Sequence, residues 1–139
     1  MEKYTAISDT GFVVAIVNQS DIRHHESVSV YRQQKHILLP QTVLAEVCYL
    51  IGRDAGTKTV ISFLQGISSS RFTLVSLNEE DIKRVIEILR DYQDSRIDFV
   101  DATVMAIAER FKINRVLTLD RRDFLLFRPS HCNSFELLP

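Results

Sequence analysis

"DFVDATVMAIAERFKINRVLTLDRRDF", residues 98–124, decides how the rest of the chain is read. From Ala102 to Ala108 it is apolar on nearly every face, as expected of a helix enclosed within a domain. Residues 115–119 then form a short β-branched and apolar run ending on Asp120, the pattern of a strand passing into a turn. A buried helix feeding a buried strand is the building unit of a parallel sheet covered on both faces. The stretch also holds an anomaly. Asp98 and Asp101 head the apolar helix, although burying an unpartnered carboxylate is strongly unfavourable.

The same alternation extends outward in both directions. Strands are predicted over residues 4–8, 36–39, 72–77, 115–119 and 134–138, each short, apolar or β-branched, and bounded by polar or turn residues. Helices are predicted over 10–18, 21–34, 42–55, 57–67, 78–92 and 98–112. Asn78 with Glu79, Glu80 and Asp81 makes a cap and an acidic first turn suited to a helix dipole. Gly56 is the stop for the helix before it. No linker, internal repeat or low-complexity tract interrupts the pattern. The expected fold is α/β: a single domain over 1–139, Rossmann-like, with three α/β/α layers and a central, mainly parallel sheet of about five strands.

Composition excludes several classes. With 139 residues, 45% hydrophobic and 25% charged, the chain has the mixture of an ordinary folded domain. A net charge of −1 makes it no general polyanion binder, though a local basic patch stays compatible with that balance. Its longest apolar runs, such as residues 12–17, are too short to span a bilayer. Asp9 interrupts the place where a signal-peptide core would lie, so the expected location is the cytoplasm, without membrane attachment. Cys48 and Cys132 form neither a metal spacing nor a disulfide framework, and Cys48 reads as a small core residue. "GRDAGTKT", residues 52–59, lacks the Gly-Lys-Ser/Thr order of a phosphate loop and lies between helices.

Ligands of such sheets bind beyond the carboxyl ends of the strands, where the strand order switches. Asp9 and Asp120 each follow a predicted strand. Asp98 and Asp101 begin the helix leading into the Asp120 strand, and Glu46 lies in the second turn after "HILLP". Five acids distant in sequence therefore converge on one rim, with Asp123 as a sixth. Singly, each has an ordinary reading. Asp98 serves as an N-cap with Asp101 favouring the dipole, Asp9 caps its own helix, Glu46 is a solvated helix residue, and Asp120 opens a turn. Thr10 beside Asp9 and Thr118 beside Asp120 are either carboxylate partners or plain structural positions. Jointly the acids would repel one another unless a cation is shared among them, and carboxylate and water ligands suit Mg²⁺ or Mn²⁺.

At this point the chain resembles the PIN-domain nucleases, and within them the VapC-type toxins of toxin–antitoxin modules. The matching pieces are "AISDTGFVVAIVNQSD", "LLPQTVLAEVCYL" and "FVDATVMAIAERFKINRVLTLDRRDF", in the family's order over almost the whole chain. The resemblance places the four main acids on Asp9, Glu46, Asp101 and Asp120, with Asp98 and Asp123 as supporting members. It implies metal-dependent cleavage of RNA, a Mg²⁺ or Mn²⁺ ion held by Asp9 and Asp101, a small cognate antitoxin and a homodimer.

The four histidines need take no part; His24 and His25 read as surface residues. Arg96, Arg121 and Arg122 are candidate contacts to RNA phosphates, and Arg115 and Arg128 lie near the same acids in sequence. Two rivals share parts of the pattern. A phosphoacceptor signalling domain would need paired acids after the first strand and a lysine after a late one, whereas Asp9 stands alone and Arg121 and Arg122 follow Asp120. A catalytically silent interaction module would not need all four acids.

Overall fold

Five short apolar runs pair edge to edge in the computed structural model, which describes residues 4–139; the first three residues of the expected 1–139 domain lie outside the described residues. They are β1 (Ala6–Ser8), β2 (Ile37–Pro40), β3 (Phe72–Val75), β4 (Arg115–Leu117) and β5 (Glu136–Leu138). Every pairing is parallel, in the order β3-β2-β1-β4-β5. Ile7 in the central strand lies beside Leu38 on one side and Val116 on the other. β1 and β2 are buried along their whole length, which is why they read as continuous apolar runs and not as alternating ones.

Between the strands run α1 (Thr10–Val17), α2 (His24–Gln33), α3 (Gln41–Ala55), α4 (Thr57–Gly66), α5 (Glu79–Asp91), α6 (Phe99–Phe111) and α7 (Arg121–Leu126). A 3₁₀ turn, Ile67–Ser69, follows α4. Gly56 separates α3 from α4 with φ of 89°, a conformation that costs other residues more than glycine. The chain steps outward from β1 to β2 and β3, then returns past β1 to β4 and β5. With right-handed crossovers, α1–α4 cover one face of the sheet and α5–α7 the other. Helix contacts follow that division, α1 packing on α2 and α3, α3 on α4, and α5 on α6. α3 also meets α6, a contact that joins the two helical layers.

The core is one cluster in which Ile7, Phe12, Leu38, Met105, Ile107, Leu117, Phe124 and Phe127 are almost wholly enclosed. α6 is buried at every position from Ala102 to Ala108, as its composition requires.

Several boundaries differ from expectation for identifiable reasons. The helix expected from residue 21 begins at His24. Asn18 and Asp21 turn their side-chain oxygens onto the backbone N–H groups of Ser20 and Arg23 at 3.1 and 2.8 Å, and such local bonds compete with helix formation. "DRRDF", read as a turn, is the start of α7. Four of the strands are shorter than expected because the pairing register spans only two to four residues per neighbour, and β2 keeps its four residues shifted by one. Cys48 is half-buried on α3 and not in the core; both cysteines are free. Among the described residues no helix is long and apolar enough to cross a membrane.

Candidate active site

The winding reverses between β1 and β4, and an aspartate leaves each of these strands toward the same edge. Asp9 follows β1 directly and is the N-cap of α1, its Oδ1 accepting the Phe12 N–H at 3.1 Å. Its other oxygen accepts the Thr118 hydroxyl. Thr118, just past β4, is fully buried; its Oγ1 also accepts the Asp120 N–H at 2.9 Å. One threonine thus ties the two strand-end aspartates together. Asp9 is only 6% exposed. Burial pushes its pKa up to about 6, against the lowering bonds from Thr118 and Phe12, and the charges of Asp120 and Glu46 add to the rise.

A second group of acids lies at the head of α6. Asp98 Oδ1 accepts the Asp101 N–H at 2.9 Å, and Asp101 Oδ2 accepts the Asp98 N–H at 3.2 Å. This reciprocal capping box satisfies two of the helix's free donors. The simple division, with Asp98 for the cap and Asp101 for other work, is therefore incomplete, because one Asp101 oxygen belongs to the cap as well. Asp101 has its pKa raised well above the usual carboxylate range, chiefly by burial, with the Asp98 and Asp123 charges adding to the rise. Asp123, buried in the first turn of α7, is raised in turn by burial and by Asp120, while Arg96 and Arg122 pull it down.

The acids thus form a chain of mutual influence: Glu46 and Asp120 on Asp9, Asp120 on Asp123, and Asp123 and Asp98 on Asp101. Among the described residues, none of these six carboxylates forms an ion pair with a lysine or arginine. Elsewhere the protein pairs its inward-facing acids, as Arg84 does Glu109 at 2.7 Å and Arg110 does Asp81 at 2.9 Å. Thr10 lies beside Asp9 with a buried hydroxyl that has no hydrogen-bond partner.

The arginines separate. Arg96 and Arg122 are exposed and act on Asp123. Arg121 donates to the carbonyls of Leu137 and Pro139 at 3.3 and 3.2 Å, which engages it with the end of β5. Arg115 opens β4, at the end of that strand opposite Asp120, and binds Glu136 at 2.7 Å and Gln34 at 3.1 Å. It does not belong to the acidic rim. His25 is exposed, whereas His24 is partly enclosed and bonds to the Ala15 carbonyl at 2.8 Å.

The family model described as "PIN domain" matches residues 6–127, most of the chain and the span in which all six acids lie. The chain belongs to the PIN domain family. Among curated relatives of this PIN domain is Ribonuclease VapC26 of Mycobacterium tuberculosis, 27% identical over 134 residues that cover 96% of this chain and 99% of the relative. Solved PIN-fold structures agree in architecture. One is Mycobacterium tuberculosis VapC20, described as a sarcin-ricin loop cleaving toxin, with a TM-score of 0.78 at 21% identity over 84% of this chain and 91% of that one. Another is VapBC2 of Rickettsia felis bound to a promoter DNA fragment, with a TM-score of 0.73 at 15% identity over 97% and 99% of the two chains.

A divalent cation is implied by the family. The donor set suits one in kind: six carboxylates that form no ion pair among the described residues, two of them held well above their usual pKa by burial and neighbouring acids. Among the described residues, no three histidine, cysteine or acidic side chains stand close enough to enclose an ion directly. The sequence did not disclose the Thr42–Thr103 hydroxyl contact between α3 and α6, at 2.7 Å across 61 residues. No local signal marks such a pair.

Proposed function

We propose that this PIN domain, taken as one unit over residues 1–139, is a metal-dependent endoribonuclease and the toxin of a type II toxin–antitoxin module. The observation carrying the reading is the set of six carboxylates that, among the described residues, form no ion pair and are linked through Asp9, Asp120, Asp123 and Asp101 at the switch point of the sheet. The resemblance to Ribonuclease VapC26 supports RNA as the substrate class. The names of fold relatives, among them a toxin–antitoxin complex from Klebsiella pneumoniae, support a small antitoxin as partner. A homodimer and a cytoplasmic setting complete the proposal.

In this reading Asp9 and Asp101 hold Mg²⁺ or Mn²⁺ from opposite halves of the acid set. The ion supplies a water of lowered pKa and stabilises negative charge on the phosphoryl oxygens. Glu46, half-exposed and acting on Asp9, would accept a proton from the attacking water. Thr118 holds Asp9 in its rotamer by donating to Oδ2. Asp120 and Asp123, close enough to raise the pKa of one another's neighbours, keep the rim negative and so selective for a cation. Arg96 and Arg122 lie at the margin, where they can bind flanking phosphates without reading bases.

The test is cleavage of a structured RNA by the purified protein in Mg²⁺ or Mn²⁺, in EDTA, and by Asp101→Asn. Cleavage confined to the wild type with metal is the expected result. Equal cleavage by Asp101→Asn, or in EDTA, would overturn the assignment. A wild type that folds and binds a partner but cleaves nothing would instead support the interaction-module reading.

A further inference from the structure

The six acids fall into two groups by their mutual effects. Asp9 with Glu46 and Asp120, which act on it, form one, and Asp101 with Asp98 and Asp123, which act on it, the other, while Asp120 also acts on Asp123 across the two. On one side the groups are joined covalently, since Asp120 and Asp123 share the start of α7. On the other side Glu46 stands on α3, which belongs to one helical layer, and Asp101 on α6, which belongs to the other.

At that point the layers are fastened by hydroxyls. Thr42 lies four residues before Glu46, on the same face of α3. Thr103 lies two residues after Asp101 and is fully buried. Their Oγ1 atoms are 2.7 Å apart. Thr103 donates its hydroxyl proton to the Val100 carbonyl at 2.6 Å, so Thr42 is the donor in the bond between the two threonines. The proton chain therefore runs Thr42 to Thr103 to Val100, from the first turn of α3 into the first turn of α6. Among the described residues it is the hydrogen bond joining the side chains of these two helices.

We propose that Thr42, through Thr103, is a positioning residue that fixes the head of α6, and with it Asp101, against α3 in the position from which Asp101 and Asp9 share a divalent ion. The proposal rests on the metal-dependent reading given above. Without the fastening, α3 and the head of α6 are free to shift against each other in the metal-free protein, and binding an ion must reverse that movement. Preorganisation of this kind appears as affinity.

The experiment measures Mn²⁺ binding to the full chain from the loss of the free-ion electron paramagnetic resonance signal, together with melting temperature with and without Mn²⁺. Wild type, Thr42→Val, Thr42→Ser, Thr103→Val and the double Thr42→Val/Thr103→Val variant are compared. Thr42→Val should raise the Mn²⁺ dissociation constant about fivefold, the equivalent of one net hydrogen bond. Thr42→Ser, which keeps the donor, should restore it, and the double variant should be no weaker than Thr42→Val alone. The rise in melting temperature caused by a fixed Mn²⁺ concentration should shrink in Thr42→Val, because stabilisation follows the ratio of ligand to its dissociation constant. A purely structural bond would lower the melting temperature equally with and without Mn²⁺ and leave affinity unchanged, and that result overturns the proposal. Should Thr42→Val fail to fold, Thr42→Ser and Thr103→Val decide: normal binding by Thr103→Val overturns the proposal. Wild-type protein that binds no Mn²⁺ overturns the metal-dependent reading itself, whereas unchanged binding in the threonine variants overturns only this inference.

Discussion

Replacing Asp9 by asparagine should stabilise the metal-free protein, and by an amount that depends on pH. Asp9 is 6% exposed and its pKa stands at about 6, against 3.8 for an unperturbed aspartate. The native state therefore binds the proton more tightly than the unfolded chain does. Stability is favoured below about pH 4 and is lost progressively as pH rises through about 6. The shift of roughly two units corresponds to about 3 kcal/mol once Asp9 is fully ionised. Asparagine removes that penalty while keeping the contacts. Its Oδ1 still accepts the Phe12 N–H, and its amide can donate to Thr118 Oγ1, whose proton then turns to the Asp120 carbonyl already 3.2 Å away. The assay is thermal unfolding of wild type and Asp9→Asn in EDTA at about pH 4 and about pH 7.5, where the variant's advantage should be larger at the higher pH by about 10 °C. Asp101 and Asp123 titrate in both proteins and cancel to first order. Saturating Mn²⁺ should abolish most of the difference by stabilising the wild type. An advantage equal at the two pH values, or absent at both, would refute the reasoning.

Asp101→Asn should cut cleavage by about two orders of magnitude or more, while its amide oxygen still accepts the Asp98 N–H and the circular dichroism spectrum stays unchanged. Asp98→Ala should cost about 1 kcal/mol in denaturant unfolding, most of it recovered by Asp98→Ser, with only modest loss of cleavage; a serine variant as inactive as Asp101→Asn would make Asp98 a direct metal ligand. Thr118→Val removes a bond that lowers the Asp9 pKa, so the loss of metal-free stability with rising pH should extend to higher pH than in the wild type. Arg96→Ala and Arg122→Ala should each reduce the slope of log affinity against log salt for single-stranded RNA by about 0.7, measured by anisotropy in an Asp101→Asn background. Arg121→Ala should leave that slope unchanged but lower the melting temperature, because its guanidinium holds the end of β5.

The acids at the strand ends were legible because the strands announce themselves. β1 and β2 are buried along their whole length and read as unbroken apolar runs, which puts Asp9 directly after β1, while Asp120 lies three residues past the end of β4. The helical placement of Asp98 and Asp101 was equally accessible, since a spacing of three before an apolar run is a cap pattern. What the chain could not disclose are the contacts that close over long separations. Thr118 reaches Asp9 across 109 residues, and Thr42 meets Thr103 across 61; neither pairing leaves a local trace. The arginines show the same limit. Arg115 and Arg121 are near Asp120 in sequence, yet one lies at the opposite end of β4 and the other is engaged with β5 carbonyls. α7 escaped notice because six residues are too few to display a helical period.

The most direct test is anomalous scattering at the manganese edge from crystals of the wild-type protein grown with Mn²⁺. A hydrated ion shared by the two acid groups predicts a single dominant peak at the carboxyl edge of β1 and β4, about 2 Å from one carboxylate oxygen each of Asp9 and Asp101. A peak elsewhere, or none at that edge under conditions in which Mn²⁺ supports cleavage of RNA, would contradict the account.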